Sequence, residues 1–153
     1  MKKLILAAAI GLPTMIFAHE YKAGDLMIDH PVSFETAATA RTAAGYMVIT
    51  NTGDSDDVLL RAEADFPRVE IHETVTEDGV ATMQKQDSIA LPAGESVSFE
   101  PGGKHVMFMG LTDPFEAGEE ISVKLIFENA GEVDVVFNVE ARDGHDATDH
   151  SGH

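Results

Sequence analysis

The chain contains no cysteine among its 153 residues. Four kinds of site are thereby excluded: a thiolate nucleophile, a cysteine-based zinc site, an iron–sulfur cluster held by thiolates and a blue-copper site of the Cys/His type. A domain of this size without a disulfide must be held by its hydrophobic core, helped by a metal where one binds. The hydrophobic fraction of 44% is ordinary for one globular domain.

Basic residues are also scarce. Ten Lys and Arg face 27 Asp and Glu, which gives a net charge of −17. Residues 1–18 hold two of the lysines and no acid, so a chain without them would carry about −19. Such a charge disfavours nucleic acid and anionic membranes and favours cations and basic partner proteins. The alternative is that the acidity only keeps an exported protein soluble.

Motifs of the common enzyme classes are missing as well. The chain has no G-x-S-x-G, no P-loop, no H-E-x-x-H and no G-x-G-x-x-G. Its many carboxylates form no pair that the sequence singles out. We therefore expect a protein that is not an enzyme.

No apolar run is long enough for a membrane-spanning helix. Lys2 and Lys3 precede the apolar stretch from Leu4 to Phe17, which is interrupted by Gly11 and Pro13. This stretch of about 14 residues falls short of the roughly 20 that span a bilayer. The layout, with Ala18 at its end, predicts a signal peptide over residues 1–18 and a periplasmic protein. A retained membrane anchor is the alternative, and no cysteine follows that could carry a lipid.

Short runs rich in Val, Ile and Phe, separated by turn residues, fill the chain from about Asp25 to Glu140. Residues 69–75 alternate between apolar and polar side chains, although Glu73 breaks the series and predicts a strand end or bulge there. The spacing predicts an all-β domain over residues 19–140, a Greek-key barrel or sandwich of seven to nine short strands. Residues 141–153 are polar and are predicted to be a disordered tail.

The run His105-Val-Met-Phe-Met109 is dense in soft metal ligands. On a strand, His105, Met107 and Met109 would share one face, while Val106 and Phe108 would face the core. The same parity places His72 beside Glu70 on an outer face, and a hairpin through Asp78-Gly79 would bring Met83 near His72. We therefore predict an exposed His/Met face.

Two imidazoles and two thioethers form an uncharged ligand set that suits Cu(I). Zinc prefers thiolate, imidazole or carboxylate, and calcium and magnesium require oxygen ligands. Taken one at a time, a methionine in a β protein is more often core filler, and a histidine is more often a surface residue. The spacing of the four residues favours a metal site.

That spacing, His72-x10-Met83-x21-His105-x-Met107, resembles the signature of periplasmic PCuAC-type copper chaperones. The surrounding segments are similar as well: Gly24–Pro31, Val69–Thr74, Leu91–Glu95 and Pro101–Leu111. The resemblance covers roughly residues 20–140. One departure is Val32, where the family commonly has Trp, and we expect this to affect packing only.

The resemblance implies a cupredoxin-like barrel, monomeric, that binds one Cu(I) through His72, Met83, His105 and Met107. It also implies delivery of copper toward the copper centre of cytochrome c oxidase, alongside thiol-dependent copper chaperones. Met109 lies outside the signature and is a candidate spare ligand. His30 is interpreted as structural.

The family resemblance also draws attention to the ends of the chain, since some members bind Cu(II) in a C-terminal extension. His145, His150 and His153 lie among three aspartates and are candidate Cu(II) ligands. Cleavage after Ala18 would make His19 the amino terminus, where its amine and imidazole could bind Cu(II). A merely solubilising tail is the alternative.

Three other functions stay open. A copper buffer or resistance protein would bind the ion without delivering it. A histidine-brace copper enzyme would use His19. A plain β-sandwich interaction domain would not need His72 or Met83.

Overall fold

The computed structural model of the chain describes residues 20–142. These residues form eleven β-strands and no helix, so no helix in this range could cross a membrane. The strands are β1 (Glu20–Ala23), β2 (Leu26–Phe34), β3 (Thr42–Asn51), β4 (Asp57–Ala64), β5 (Arg68–Glu77), β6 (Val80–Gln86), β7 (Ile89–Leu91), β8 (Ser96–Phe99), β9 (Lys104–Met109), β10 (Glu120–Phe127) and β11 (Gly131–Glu140). The predicted all-β class is confirmed.

The strands form one sheet that curls into a nearly closed barrel. Their order is β6-β5-β9-β8-β3-β2-β11-β10-β4-β7, with β1 added beside β2 and a second pairing between β9 and β3. Most neighbours are antiparallel, and the pairs β11–β2 and β8–β9 are parallel. Strand β9, which carries His105 and Met107, therefore lies between β5 and β3 rather than at an edge.

The strand count exceeds the predicted seven to nine, because β1, β2 and β7 carry weak sequence signals. Strand β7 has only three residues. Strand β2 contains His30 in a left-handed conformation (φ 50°), and its pairing with β3 shifts register between Asp29 and Val32. Pro31 lacks the N–H that a regular ladder needs, so this bulge accommodates it and hides the strand's alternation.

The core beneath β9 is aromatic. Phe108 is fully buried, and its ring lies 5.3 Å from Phe66, 5.8 Å from Phe115 and 6.0 Å from Phe137 between centroids. Val106 is also fully buried. Since these two residues of β9 point into the core, His105 and Met107 must point to the opposite face of the sheet.

The β5–β6 hairpin determines where Met83 lies. Asp78 and Gly79 both have positive φ, 52° and 78°, which is the conformation of a two-residue type I′ turn. The turn aligns Glu77 with Val80, and the ladder then places Met83 opposite Thr74. The predicted hairpin is confirmed.

The predicted interruption at Glu73 is wrong. Strand β5 runs unbroken through Glu73, opposite Lys104 of β9. The Lys104 Nζ lies 3.3 Å from a Glu73 carboxylate oxygen. A half-buried carboxylate is tolerated in mid-strand here because the neighbouring strand supplies a cation.

Candidate metal centre

The two central histidines lie directly opposite each other. His72 of β5 pairs with His105 of β9 in the antiparallel ladder, and their ring centroids are 5.8 Å apart. Side chains of directly paired residues project from the same face. The sheet itself therefore brings together two imidazoles that are 33 positions apart in the chain.

Met107 lies beside this pair. It follows His105 by two residues, so it projects from the same face, and it is paired with Glu70 of β5 and Ala44 of β3. Only 8% of the residue is exposed. Met107 is thus a diagonal neighbour of His72 across the β5–β9 ladder.

Met83 completes the group from the other side of β5. It pairs with Thr74, which lies two residues beyond His72 on the same face, so Met83 is also a diagonal neighbour of His72. Such diagonal neighbours have Cα atoms about 7 to 8 Å apart, within reach of a long side chain. Unlike the other three residues, Met83 is 61% exposed.

Each histidine has one ring nitrogen engaged and one without a partner. His72 Nε2 is 2.8 Å from Glu70 Oε2, and His105 Nδ1 makes a long contact of 3.4 Å with the carbonyl oxygen of Gly103. Both His72 Nδ1 and His105 Nε2 are buried without a hydrogen-bond partner among residues 20–142. An unsatisfied buried polar atom costs about 1 to 3 kcal/mol, and such atoms in a folded protein often serve a function.

The donor atoms available here are two imidazole nitrogens and two thioether sulfurs, a set that suits a soft ion. Within the described residues, no group of three or more His, Asp and Glu side chains is arranged to hold a metal ion.

Burial and charge keep His105 neutral. Burial lowers the pKa of His105 below its usual range, the hydrogen bond to Gly103 opposes this shift, and the proximity of His72 lowers the pKa further. A neutral imidazole is the form that binds a metal ion.

The family comparison decides the classification. The family model described as "Putative lipoprotein LpqE-like" matches residues 26–139, most of the chain. A PCuAC domain described as "Copper-bound PCuAC domain from PmoF2" superposes with a TM-score of 0.68 and 32% identity, covering 80% of this chain and 98% of that one.

This chain belongs to the LpqE-like, PCuAC-type family. The apo PCuAC domain from PmoF1 gives a TM-score of 0.69 at 28% identity, covering 80% of this chain and 99% of that domain. The solution structure of CuI-DR1885 from Deinococcus radiodurans shares the fold, with a TM-score of 0.61 at 23% identity over 80% of this chain and 81% of that one. The predicted cupredoxin-like PCuAC fold is confirmed.

Two curated relatives match this chain. "Putative lipoprotein Lxx21020" of Leifsonia xyli subsp. xyli is 39% identical over 95 residues, which cover 61% of this chain and 57% of that protein. "Uncharacterized protein RP573" of Rickettsia prowazekii is 30% identical over 89 residues, covering 57% and 49% respectively. This PCuAC-type chain thus spans about half the length of the curated relatives it matches.

The predicted exposure of the His/Met face is largely wrong. His105 is 4% exposed and Met107 8%, and only 13% of the His72 side chain is accessible. Parity correctly identified the face of β9, but accessibility depends on the flanking strands. Met107 lines a cavity of about 160 Å³ together with Phe34 of β2 and Tyr46 of β3.

Glu70 has no place in the His/Met signature, and it proves to be the direct partner of His72. The available signal was its position two residues before His72 on the same strand face. Its hydrogen bonds with His72 and then with Arg68 are the main causes that lower the pKa of the Glu70 carboxyl, so Glu70 is an anion at neutral pH.

The remaining predicted residues are placed as follows. Met109 lies on the same face as Met107, where it pairs with Arg68 and Thr42. It is two residues further along β9, away from His72. His30 occupies the bulge in β2, 3.6 Å from Glu140, which agrees with a structural role. The predicted signal peptide, His19, His145, His150 and His153 lie outside the described residues.

Proposed function

We propose that this protein binds one Cu(I) ion through His72, Met83, His105 and Met107 and hands it to an acceptor protein in the periplasm. The observation that carries the proposal is the pair of buried imidazole nitrogens, His72 Nδ1 and His105 Nε2, which lack partners among the described residues. A metal ion bonded to both would offset the cost of burying them. The copper-bound PCuAC domain from PmoF2, at 32% identity, supports copper as the ion.

Cu(I) is favoured over Zn(II) by the ligand types. Thioether sulfur is soft and uncharged, and it supplies half of the set. Zinc is bound by thiolate, imidazole and carboxylate rather than by thioether, and this chain has no cysteine.

Uneven burial of the four ligands supports a role in transfer. His105 and Met107 are buried, whereas Met83 lies on strand β6, whose residues are nearly all exposed. An acceptor could approach along β6, replace the Met83 sulfur with its own ligand and draw the ion away while the buried ligands still hold it. The acceptor we propose is the copper centre of cytochrome c oxidase or a thiol-dependent copper chaperone.

We further propose export by the signal peptide of residues 1–18, followed by a domain of residues 19–140. A relative named as a lipoprotein supports a location in the cell envelope. This chain contains no cysteine to carry a lipid, so we propose a protein free in the periplasm.

The C-terminal tail, residues 141–153, is proposed as an accessory Cu(II) site through His145, His150 and His153. Arg142, the last residue that the structure describes, lines a cavity that Met107 also lines. His19 is a further Cu(II) ligand if cleavage exposes its amine.

Anaerobic titration with Cu(I) against a competing chelator tests the main site. His72→Ala, Met83→Leu, His105→Ala and Met107→Leu should each raise the dissociation constant at least about 10-fold, the scale already reached by losing outer-shell partners. His30→Ala and Met47→Leu are matched controls outside the site and should bind as the wild type does. Unchanged affinity in all four site variants would refute the proposal.

A kinetic experiment separates delivery from buffering. The copper-loaded protein is mixed either with the soluble copper-binding domain of cytochrome c oxidase or with a small chelator of equal affinity. A chaperone transfers copper to its acceptor faster than it releases copper to the chelator, because the acceptor displaces a ligand directly. Equal rates would indicate a copper buffer.

Truncation after Glu140 should remove Cu(II) capacity and leave Cu(I) affinity unchanged.

A further inference from the structure

Glu70 is placed unusually for an acidic residue of a strongly acidic protein. It lies two residues before His72 on the same face of β5, and its side chain is only 12% exposed. Its partner across the ladder is Met107. Burying a carboxylate beside a neutral metal site is unfavourable unless hydrogen bonds compensate it.

The compensation comes from three directions. Glu70 Oε1 accepts hydrogen bonds from Arg68 Nε at 3.0 Å and Arg68 Nη2 at 2.8 Å, and Lys85 Nζ lies 3.8 Å away. Glu70 Oε2 contacts His72 Nε2 at 2.8 Å. The two arginine nitrogens on Oε1 stabilise the charged carboxylate and leave Oε2 for His72.

The geometry assigns the proton on the His72 ring. A carboxylate paired with arginine can only accept hydrogen bonds, so His72 Nε2 must donate. In the neutral ring the lone pair is then on Nδ1, which is the buried atom without a partner among the described residues. The Gly103 carbonyl acts in the same way on His105, because it can only accept from Nδ1 and leaves the lone pair on Nε2.

We propose that Glu70, anchored by Arg68 and Lys85, is a positioning residue that fixes His72 in one tautomer and ring orientation, so that copper binds His72 through Nδ1 and His105 through Nε2. This inference rests on the proposed copper function. Lys85 adds a second link, since it lies opposite His72 on β6, two residues from Met83. The same carboxylate therefore orients one ligand and contacts the strand that carries another.

The first test measures the copper-free protein. Long-range proton–nitrogen correlation NMR of the imidazoles, at a pH where they are neutral, identifies which nitrogen carries the proton. We expect His72 to be protonated at Nε2 in the wild type and to become a mixture of tautomers in Glu70→Ala. Glu70→Gln has one acceptor oxygen where Glu70 uses two, so its NH2 group must face either Arg68 or His72, and the Nε2–H form should be only partly populated.

The second test measures Cu(I) affinity by chelator competition. Glu70→Ala should raise the dissociation constant about 10- to 100-fold, the usual cost of losing an outer-shell partner, and Glu70→Gln should lose less. Glu73→Ala is the matched control, because Glu73 lies on the same strand and pairs with Lys104 but projects from the opposite face. It should bind copper as the wild type does.

The outcomes separate this inference from the copper proposal. A wild-type His72 protonated at Nδ1, or a Glu70→Ala variant with unchanged tautomer and unchanged affinity, would overturn the role of Glu70. A wild-type protein that binds no Cu(I) would overturn the copper function, and the tautomer measurement would still decide the orienting role. If Glu70→Ala fails to fold, the comparison of Glu70→Gln with Glu73→Gln takes its place.

Discussion

His72 and His105 are paired across β5 and β9 with their ring centroids 5.8 Å apart, and each ring buries one nitrogen without a partner among residues 20–142. Neither nitrogen improves the stability of the copper-free protein. Buried groups of this kind lower the stability of a folded protein and are typical of sites that bind a ligand.

The cost of burying the unpaired Nε2 atom leads to a prediction for His105→Leu. Leucine has a similar volume and removes the buried Nε2, so the free energy of unfolding of the copper-free variant should equal that of the wild type or exceed it by about 1 kcal/mol. Copper should no longer stabilise the variant. Urea unfolding with and without Cu(I) measures both effects. A copper-free variant that loses more than about 2 kcal/mol would show that His105 serves the fold instead.

Acid should destabilise the copper-free protein, in part through His105. Burial is the largest cause that lowers the pKa of His105 in the folded state, so the unfolded chain takes up this proton at a higher pH than the folded chain. The contribution of His105 to the free energy of unfolding is complete above about pH 6.5, which is the pKa of histidine in the unfolded chain. It is lost as the pH falls through the lower pKa of His105 in the folded state. Urea unfolding at pH 7.5 and pH 5.5 should show a smaller loss in His105→Leu than in the wild type. Equal losses would mean that other groups carry the whole effect.

Met83 should be the methionine of the site that oxidises first. It is 61% exposed, whereas Met107 is 8% and Met47 2% exposed. Mild peroxide should convert Met83 to the sulfoxide while these two remain intact, as measured by peptide mass spectrometry. Ag(I), a soft ion that does not itself react with peroxide in the manner of copper, should slow oxidation of Met83 when bound. Faster oxidation of Met107 than of Met83 would contradict the burial of Met107 and the exposure of Met83.

Gly45→Ala should destabilise the barrel beneath the site. An added Cβ would lie 2.8 Å from a Phe137 ring carbon and 3.2 Å from Phe108, closer than these rings can accept without moving. Overpacking of this kind costs about 1 to 3 kcal/mol. Gly103→Ala is a suitable control in urea unfolding, because its added Cβ meets nothing closer than 3.5 Å. If both variants unfold alike, the core must be able to adjust around Gly45.

Much of the fold could be anticipated from local patterns. The Asp78-Gly79 hairpin is a short-range feature, because a two-residue turn with positive φ at both positions requires residues of this kind. Strand β2 was not anticipated, because the bulge at His30 and Pro31 interrupts the alternation by which strands are found. Its pairing with β3 and β11 comes from distant parts of the chain.

For the site, the alternation of residues along each strand predicted correctly which side chains share a face. It did not predict how exposed that face is. Alternation along β9 placed His105 and Met107 on the face opposite Val106 and Phe108, as the structure has them. It could not indicate that His105 and Met107 are buried, since the residues around them, such as Tyr46, belong to other strands.

The sequence by itself determined the soft ligand types, their spacing and the absence of thiolates, because these are properties of composition and order along the chain. Tertiary structure alone decided that His72 lies opposite His105, that Glu70 engages one ring nitrogen of His72, and that His105 and Met107 are buried while Met83 is exposed. The physical reason is that register and burial depend on strands far apart in sequence. Only their pairing determines which atoms meet and which are withdrawn from water.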